Sequence, residues 1–265
     1  MASLNVSIVA YHTSTDELEQ ALASLASPSV DTVYLIDNGS EERLKRWCSG
    51  RKGVVYIQAP NPGYGAGHNI AIRHSISNGK RYHLVMNSDV RFEPSVIDDI
   101  TGFMDTHDEV GALQPKIINP DGSLQHTCRR LPTPLDVFAR RFLPHCLFRS
   151  RDSRYLLTDL NPDVQHNIPY HQGSFMFLRT KALSDSGLFD ERFFMYPEDI
   201  DLTRRIHRHW LTLYYPEVTV IHDHRADSYR SLRMTWIHAV NMVRYFNKWG
   251  WWYDRERREF NRHIK

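Results

Sequence analysis

His83-Leu84-Val85-Met86-Asn87-Ser88-Asp89 is an apolar run that stops on three polar residues, with Pro94 five positions beyond. The apolar part is too short for a helix and reads as a buried strand, and Pro94 is placed to open the helix that follows. The same unit recurs upstream. Val6 to Ala10 reads as a strand, and Ser14 with Glu17 forms a capping-box pattern ahead of a helix reaching about Ala26. Thr32 to Ile36 is the next strand, Glu41 to Cys48 a short helix, Val54 to Gln58 a third strand and Asn69 to Ser77 a helix. Strands alternating with helices predict an α/β chain whose mostly parallel central sheet carries helices on both faces. In such open sheets ligands bind beyond the carboxyl ends of the strands, where Tyr11, Asp37, the loop at Asn61 and Asp89 all fall.

Composition narrows the classes. The chain has 265 residues and a net charge of +2, from 33 Lys and Arg against 31 Asp and Glu. That balance gives no footprint for nucleic acid, and no Gly/Ser-rich linker divides the chain, so one α/β unit with elaborations is expected. Cys48, Cys128 and Cys146 are odd in number and never paired as Cys-x-x-Cys, which argues against a disulfide framework or a structural zinc site and fits a reducing cytosol. The chain enters Val6 to Ala10 without a basic lead or a long apolar segment, so neither a signal peptide nor a membrane span is expected.

Three motifs carry chemistry. In Asn61-Pro62-Gly63-Tyr64-Gly65-Ala66-Gly67-His68-Asn69 the glycines, Gly65 among them, would let backbone approach a ligand, and the amides opening the Asn69 helix would face phosphate. A tight strand-to-helix turn has the same composition. The loop lacks the Lys-Ser/Thr of a P-loop, and His68 stands where a dinucleotide fingerprint needs its third glycine. At the strand end, Asn87-Ser88-Asp89 offers a carboxylate to a hard divalent cation that completes its shell with phosphate and water, although all three are ordinary turn formers. Late in the chain a strand, Val218 to Ile221, ends in His222-Asp223-His224, and a neutral imidazole there can join Asp89 on a cation such as Mn2+. The third motif is Phe193-Phe194-Met195-Tyr196-Pro197-Glu198-Asp199-Ile200-Asp201. A carboxylate hemmed in by aromatic rings at a helix entrance has the environment of a general base. The structural alternative is that first-turn acids complement the helix dipole and that Asp201 pairs with Arg204 or Arg205.

Taken in order, Val6 to Tyr11, Ile36-Asp37-Asn38-Gly39-Ser40, Asn61 to Asn69, Leu84 to Asp89, Gly173 to Arg179, Gly187 to Arg205 and Val220 to His224 resemble the family 2 glycosyltransferases of the GT-A fold. The chain is most similar to the bacterial rhamnosyltransferase-like branch that builds surface polysaccharides. The resemblance implies an inverting, metal-dependent transferase. It would use Mn2+ or Mg2+ to move a sugar from a nucleoside-diphosphate sugar, dTDP-rhamnose or a UDP-sugar, to a hydroxyl of a glycan or lipid-linked glycan. It implies that Tyr11 and Asp37 line the base pocket, Asp37 accepting from the ring N–H of uracil or thymine, and that Gly65, Asn69, Asn87 and Ser88 lie on the donor side. Asp89 and His222 would hold the cation, with His224 the less favoured ligand. Asp199 would be the base, with Glu198 orienting it or touching the acceptor. Asn87 departs from the family's Asp-x-Asp pattern, because an amide replaces its first acid.

The catalytic domain is expected to span residues 1–230, interrupted at about 127–155 by an irregular or partly helical insertion rich in Arg and Pro. Arg129 and Arg130, with Phe194 and Tyr196, are the candidates for the acceptor side, since arginine forks suit phosphate oxygens. A solvated surface or a subunit contact accounts for the same arginines. Residues 231–265 form an aromatic, then basic, helical extension suited to a membrane surface, to packing on the catalytic domain or to a twin subunit. A cytoplasmic protein at the inner face of the cell membrane is the corresponding expectation. Two other classes remain, a nucleotide-sugar-binding protein without catalysis and a sugar nucleotidyltransferase. The latter is disfavoured because Tyr11-His12-Thr13-Ser14-Thr15-Asp16 lacks a Gly-rich basic loop after the first strand.

Overall fold

The structure is a computed structural model that describes residues 3–142, 148–223 and 232–264. Among these, the chain alternates as expected through its first half: β1 Leu4–Ala10, α1 Thr15–Ser24, β2 Val30–Asp37, α2 Glu42–Cys48, β3 Val54–Gln58, α3 Tyr64–Ser77 and β4 Tyr82–Met86. It continues with β5 Val90–Arg91, α4 Ser95–Thr106, β6 Val110–Ile118, β7 Cys128–Arg129, α5 Pro134–Phe142 and α6 Arg149–Tyr155. β8 His166–Asn167, β9 Tyr170–His171, β10 Phe175–Arg179, α7 Thr180–Ser186, α8 Glu198–Ile206, β11 Leu211–His222, α9 Leu232–Trp249 and α10 Arg255–His263 complete it. His224 and Cys146 lie outside the described residues.

A nine-stranded sheet runs in the order β3-β2-β1-β4-β10-β6-β11-β5, with β8 pairing β11. Six strands share one direction, while β10, β5 and β8 run against it. The chain leaves β1 toward β2 and β3 on one side and then returns to place β4 on the other, so the carboxyl ends of β1 and β4 flank the point where strand order reverses. Tyr11 follows the first of these ends, 57% exposed, and Asn87 to Asp89 follow the second.

Strand alternation sends successive residues to opposite faces. Leu4, Val6 and Ile8 meet Leu18 and Ala21 of α1, Leu44 of α2 and Ile97, Ile100 and Met104 of α4 in the larger core. The opposite face is covered by α3, α7 and α8, where Ile72, Leu183, Leu202 and Ile206 surround Val85, Met176 and Leu178. That face also carries a buried polar cluster. Ser7 Oγ lies 2.6 Å from His68 Nδ1 and 2.8 Å from His83 Nε2, while Ser75 Oγ lies 2.7 Å from His83 Nδ1. The capping pattern is half realised: Ser14 Oγ accepts from Glu17 N at 3.2 Å, while the Glu17 carboxylate accepts from Ser88 Oγ.

The C-terminal helices dock on the domain. Met242, Tyr245 and Phe246 of α9 share a core with Leu131, Tyr155, Tyr170, Phe193 and Ile200. Charge locks that seam. Arg204 of α8, 1% exposed, donates to both oxygens of Asp254 at 2.7 and 2.6 Å and to Glu256 at 2.7 Å, with its guanidinium 4.0 Å from the Trp249 ring. Asp201 takes the other partner that its spacing offered, Arg205, at 2.9 Å, and accepts from Trp249 Nε1 at 2.8 Å and Lys248 Nζ at 2.6 Å.

Burial has a pH consequence. It holds the His68 imidazole well below the usual range and pushes His83 and His171 down to about 3 and His207 to about 4. In the unfolded chain these rings titrate at about 6.5, so below that pH the unfolded state binds more protons and the fold loses stability as pH falls toward 4. Each ring contributes a slope of about 1.4 kcal/mol per pH unit in that window. The urea midpoint is expected to drop steeply between pH 7 and pH 5; a flat midpoint over that range contradicts neutral burial of these rings.

Candidate functional site

A cleft of about 590 Å³ opens beside α8, lined by Asp199, Tyr196 and Ile200, by Arg129, Tyr170 and Gln172, by Gln125 and His126, and by Met234, Thr235, His238 and Met242 of α9. Asp199 sits at the first turn of α8 and is 9% exposed. Its Oδ2 accepts from Gly173 N at 3.0 Å and its Oδ1 from Ile200 N at 2.8 Å. Burial raises its proton affinity, opposed by those two amides and by the Arg129 charge. Glu198 is raised well above the ordinary range, first by burial and then by the charge of Asp199, and its Oε2 is buried without a hydrogen bond among the described residues. A carboxyl pair so close shares its protons. Burial is the largest cause at both carboxyls, and the upward shift is the greater at Glu198, while two backbone amides favour the charged form of Asp199.

Asp89 meets His222 although 133 residues separate them (222 − 89). β5 begins immediately after Asp89 and pairs antiparallel with the end of β11, Val90 opposite His222, and Asp223 N donates to Asp89 O at 3.0 Å. Asp89 Oδ1 then faces His222 Nε2 at 3.3 Å. The tautomer follows from Gln125. Its Nε2 donates to Asn119 Oδ1 at 2.6 Å and to the His222 carbonyl at 2.7 Å, which fixes Oε1 toward His222 Nδ1 at 2.9 Å. Nδ1 therefore carries a proton, and Nε2 faces the carboxylate. Asp89 Oδ1 is buried without a hydrogen bond among the described residues. A carboxylate and an imidazole face to face, the imidazole held from behind by an amide, are a pair that can hold a cation. No group of three or more His, Cys, Asp or Glu side chains with metal-binding placement occurs among the described residues, where Asp89 and His222 stand as a pair.

Tyr64 links the two acids. Its hydroxyl donates to the Gly173 carbonyl at 2.6 Å and lies 2.9 Å from Asn87 Oδ1, while Gly173 N serves Asp199 and Asn87 N donates to Ser174 O at 2.9 Å. Asn87 thus ties the β4 end to the turn that holds Asp199. Sequence reading missed Tyr64, Gly173 as an amide donor, Gln125 and His238. A tyrosine inside a glycine loop was the available signal for the first; the others carried none.

Several expected donor-side residues are engaged by the protein itself. Helix α3 begins at Tyr64, five residues before Asn69, and Tyr64 N donates to the Phe194 carbonyl at 2.9 Å, so a protein oxygen rather than a phosphate meets that helix end. Gly63, at φ +105°, has room for no Cβ, which would lie 2.3 Å from that same oxygen; a Cβ on Gly65 would lie 2.8 Å from Phe189. Asn69 Oδ1 accepts from Phe189 N at 3.0 Å and Nδ2 donates to Phe189 O at 2.9 Å. These residues clamp the 188–198 segment onto α3 and thereby position Glu198 and Asp199. Asp37 is fully buried and accepts from Gly39 N at 2.8 Å, Glu41 N at 2.6 Å and Tyr56 Oη at 2.8 Å, shaping the loop after β2. Ser88 donates to Glu17, as noted above. On the acceptor side Tyr196 lines the cleft and meets the His238 ring edge-on at 5.3 Å. Arg129 and Arg130 separate, because neighbouring strand residues point to opposite sides. Arg129 lines the cleft, whereas Arg130 donates to the carbonyls of Arg154 and Asn261 and holds α10. Phe194 contributes its backbone oxygen to α3 and is not among the cleft-lining residues.

Known proteins bear on this geometry. The sequence profile of glycosyl transferase family 2 matches residues 6–187. The N-acetylglucosaminyl-diphospho-decaprenol L-rhamnosyltransferase of Mycobacterium tuberculosis (strain CDC 1551 / Oshkosh) is 32% identical over 225 residues, covering 80% of this chain and 73% of that protein. The low-salt glycan biosynthesis hexosyltransferase Agl10 of Haloferax volcanii is 29% identical over 234 residues, covering 85% and 69%. Among solved structures, GalNAc-T7 with UDP, GalNAc and Mn2+ superposes with a TM-score of 0.61 at 14% sequence identity, over 84% of this chain. S. aureus TarS 1-349 in complex with UDP-GlcNAc gives 0.56 at 16%, over 84%. The matched region spans 44% of the first of these chains and 59% of the second, and the likeness is one of fold, the GT-A arrangement. With the profile covering most of the chain and a curated relative matched over four-fifths of it, the protein belongs to glycosyl transferase family 2, in its rhamnosyltransferase-like branch.

Proposed function

We propose that the chain is an inverting glycosyltransferase moving a sugar from a nucleoside-diphosphate donor, dTDP-rhamnose or a UDP-sugar, to a hydroxyl of a lipid-linked glycan. The observation that carries this reading is the placement of Asp199 on one cleft whose lining also includes Gln125, the residue that orients His222 toward Asp89. The acceptor class follows the relative that acts on an N-acetylglucosaminyl-diphospho-decaprenol, and Arg129 and Arg140 in the cleft suit its diphosphate.

Asp199, kept anionic by the amides of Gly173 and Ile200, accepts the proton of the acceptor hydroxyl as that oxygen attacks the anomeric carbon. A single displacement inverts the centre. Burial disfavours charge on Glu198 beside Asp199, and Tyr196 and His238 wall the acceptor. Tyr11 offers an exposed ring to the base, and the buried Asp37 shapes the loop after β2 beside it through its three donors. Asp89 and His222 are the residues that would hold a Mn2+ or Mg2+ ion, which supplies neutralisation of charge on the diphosphate leaving group.

The test is a thermal-shift panel of nucleoside diphosphates with and without Mn2+ or Mg2+, followed by product analysis. A ligand that binds only the folded state at 100 times its Kd adds about 2.7 kcal/mol of stability. A nucleotide-dependent rise in Tm that grows with cation, and whose cation-dependent part is lost in His222→Ala, is the expected result. No cation-dependent part removes Asp89 and His222 as ligands. Product analysis should give glycoside and free nucleoside diphosphate; nucleotide binding without product would make the chain a binding protein, and pyrophosphate a nucleotidyltransferase.

A further inference from the structure

Helix α9 has two working sides. Met234, Thr235, His238 and Met242 line the cleft, whereas Trp236 is 71% exposed and Val243 is 45% exposed. At about 100° per residue, Trp236 and Val243 lie on one line, and His238 is about 200° around the helix from Trp236. Asn247 continues the exposed line, and Trp251 Nε1 donates to its Oδ1 at 2.9 Å while the indole lies tilted with its centroid 5.2 Å from that of Phe246. That bond folds the Trp251-Trp252-Tyr253 segment back against the end of the line, with Trp252 65% and Tyr253 89% exposed. Next in the chain, α10 exposes Arg255, Arg258 and Arg262, one helical stripe, and the Arg258 guanidinium lies 5.8 Å from the Tyr253 ring.

A water-facing surface seldom carries two tryptophans and a tyrosine at such exposure. Their amphipathic rings suit the headgroup level of a bilayer, and cations along the edge suit anionic lipid. Among the described residues no helix is long and apolar enough to cross a membrane, so contact here is at the surface. We infer that the strip formed by Trp236, Val243, Trp252 and Tyr253, bordered by Arg255, Arg258 and Arg262, is a docking surface for an anionic lipid bilayer. The charge of its border chooses this occupant over a second copy of the chain, whose identical arginines would repel across a two-fold contact. The surface stands whether or not the transfer reaction proposed above is the chain's own.

The test is flotation of the full chain with vesicles of phosphatidylcholine alone or mixed with phosphatidylglycerol, without donor or acceptor. Binding is expected to the mixed vesicles at low salt, to weaken at high salt, and to be absent on phosphatidylcholine. The triple variant Trp236→Ala, Trp252→Ala, Tyr253→Ala should lose at least about tenfold in partition, since binding scales with buried apolar area. Arg255→Glu, Arg258→Glu, Arg262→Glu should lose more, each arginine near an anionic surface being worth about fivefold. All six side chains are exposed, and an unchanged Tm verifies the fold. Wild-type protein that fails to float at low salt overturns the proposal, as does flotation equal to wild type in either variant. A wild-type dimer that the aromatic variant converts to monomer, without vesicle binding, assigns the strip to a second copy instead.

Discussion

Asp199→Asn will lower kcat by about 10²–10⁴-fold, the range that a positioned general base supplies, while nucleoside diphosphate binding stays within a factor of two or so. The substitution keeps the shape of the side chain and removes its ability to take a proton. One of its two amide partners, Gly173 N or Ile200 N, also loses an acceptor, at a cost of about 1 kcal/mol that the fold tolerates. Single-turnover measurement of donor consumption separates the effect from binding, and unchanged turnover would exclude Asp199 as the base. Glu198→Gln is the informative partner. Glu198 is raised well above the usual carboxylate range by burial, so as pH climbs past the unfolded value of about 4.5 the unfolded chain sheds this proton while the folded chain keeps it, and stability declines. Glutamine never ionises. The variant should therefore melt higher than wild type at neutral pH, and its kcat should fall much less than that of Asp199→Asn.

The largest effect on stability is expected at Arg204. Arg204→Met leaves Asp254, 2% exposed, with the Arg257 amide and a guanidinium 3.9 Å away in place of a two-pronged arginine, and leaves Glu256 with the half-exposed Arg208 alone. Removing one partner of such a buried ion pair costs about 3–5 kcal/mol. With about 2–4 °C lost per kcal/mol in a chain of this size, Tm should drop by roughly 6–20 °C. The indole of Trp249 also loses the nearest of the cations around it. Adding Asp254→Asn to Arg204→Met removes the buried charge and should recover part of the loss. A single variant melting within about 2 °C of wild type would mean that the seam between α8 and the C-terminal helices carries little of the fold's stability.

The first half of the fold was legible because each strand there is bounded by turn chemistry and followed by a helix with its own start signal. Beyond α4 the pattern is legible only in places, such as the end of β11. Phe175–Arg179 is buried on both faces, so nothing in its residues states that it runs against its neighbours. The glycines of the Asn61 loop mislead for a different reason. Glycine is a poor helix former, and reading it as loop delays α3 by five residues, yet at Gly65 the absent side chain makes room for Phe189. In the site, Asp199 and Asp89 were readable from their positions at a helix entrance and a strand end. Gln125, which fixes the tautomer of a histidine 97 residues away, was not, since a lone glutamine after a turn has no distinguishing neighbour. Asp201 shows the limit most plainly: its spacing offered Arg204 or Arg205, and the choice was made by Asp254 and Glu256, about fifty residues later.

The division of labour along α9 bears on how such a protein can diverge. The residues that face the cleft, Met234, Thr235, His238 and Met242, occupy the first part of the helix, and most of those that anchor it, Tyr245, Phe246, Lys248 and Trp249, occupy the last part. Met242 serves both. The wall of the cleft can therefore change residue by residue while the anchor is preserved, and none of these positions belongs to the β4 or β11 ends that bear Asp89 and His222. On the function proposed above, preference for one acceptor over another is free to drift on the C-terminal helix under its own selection, with the residues proposed for the donor left untouched.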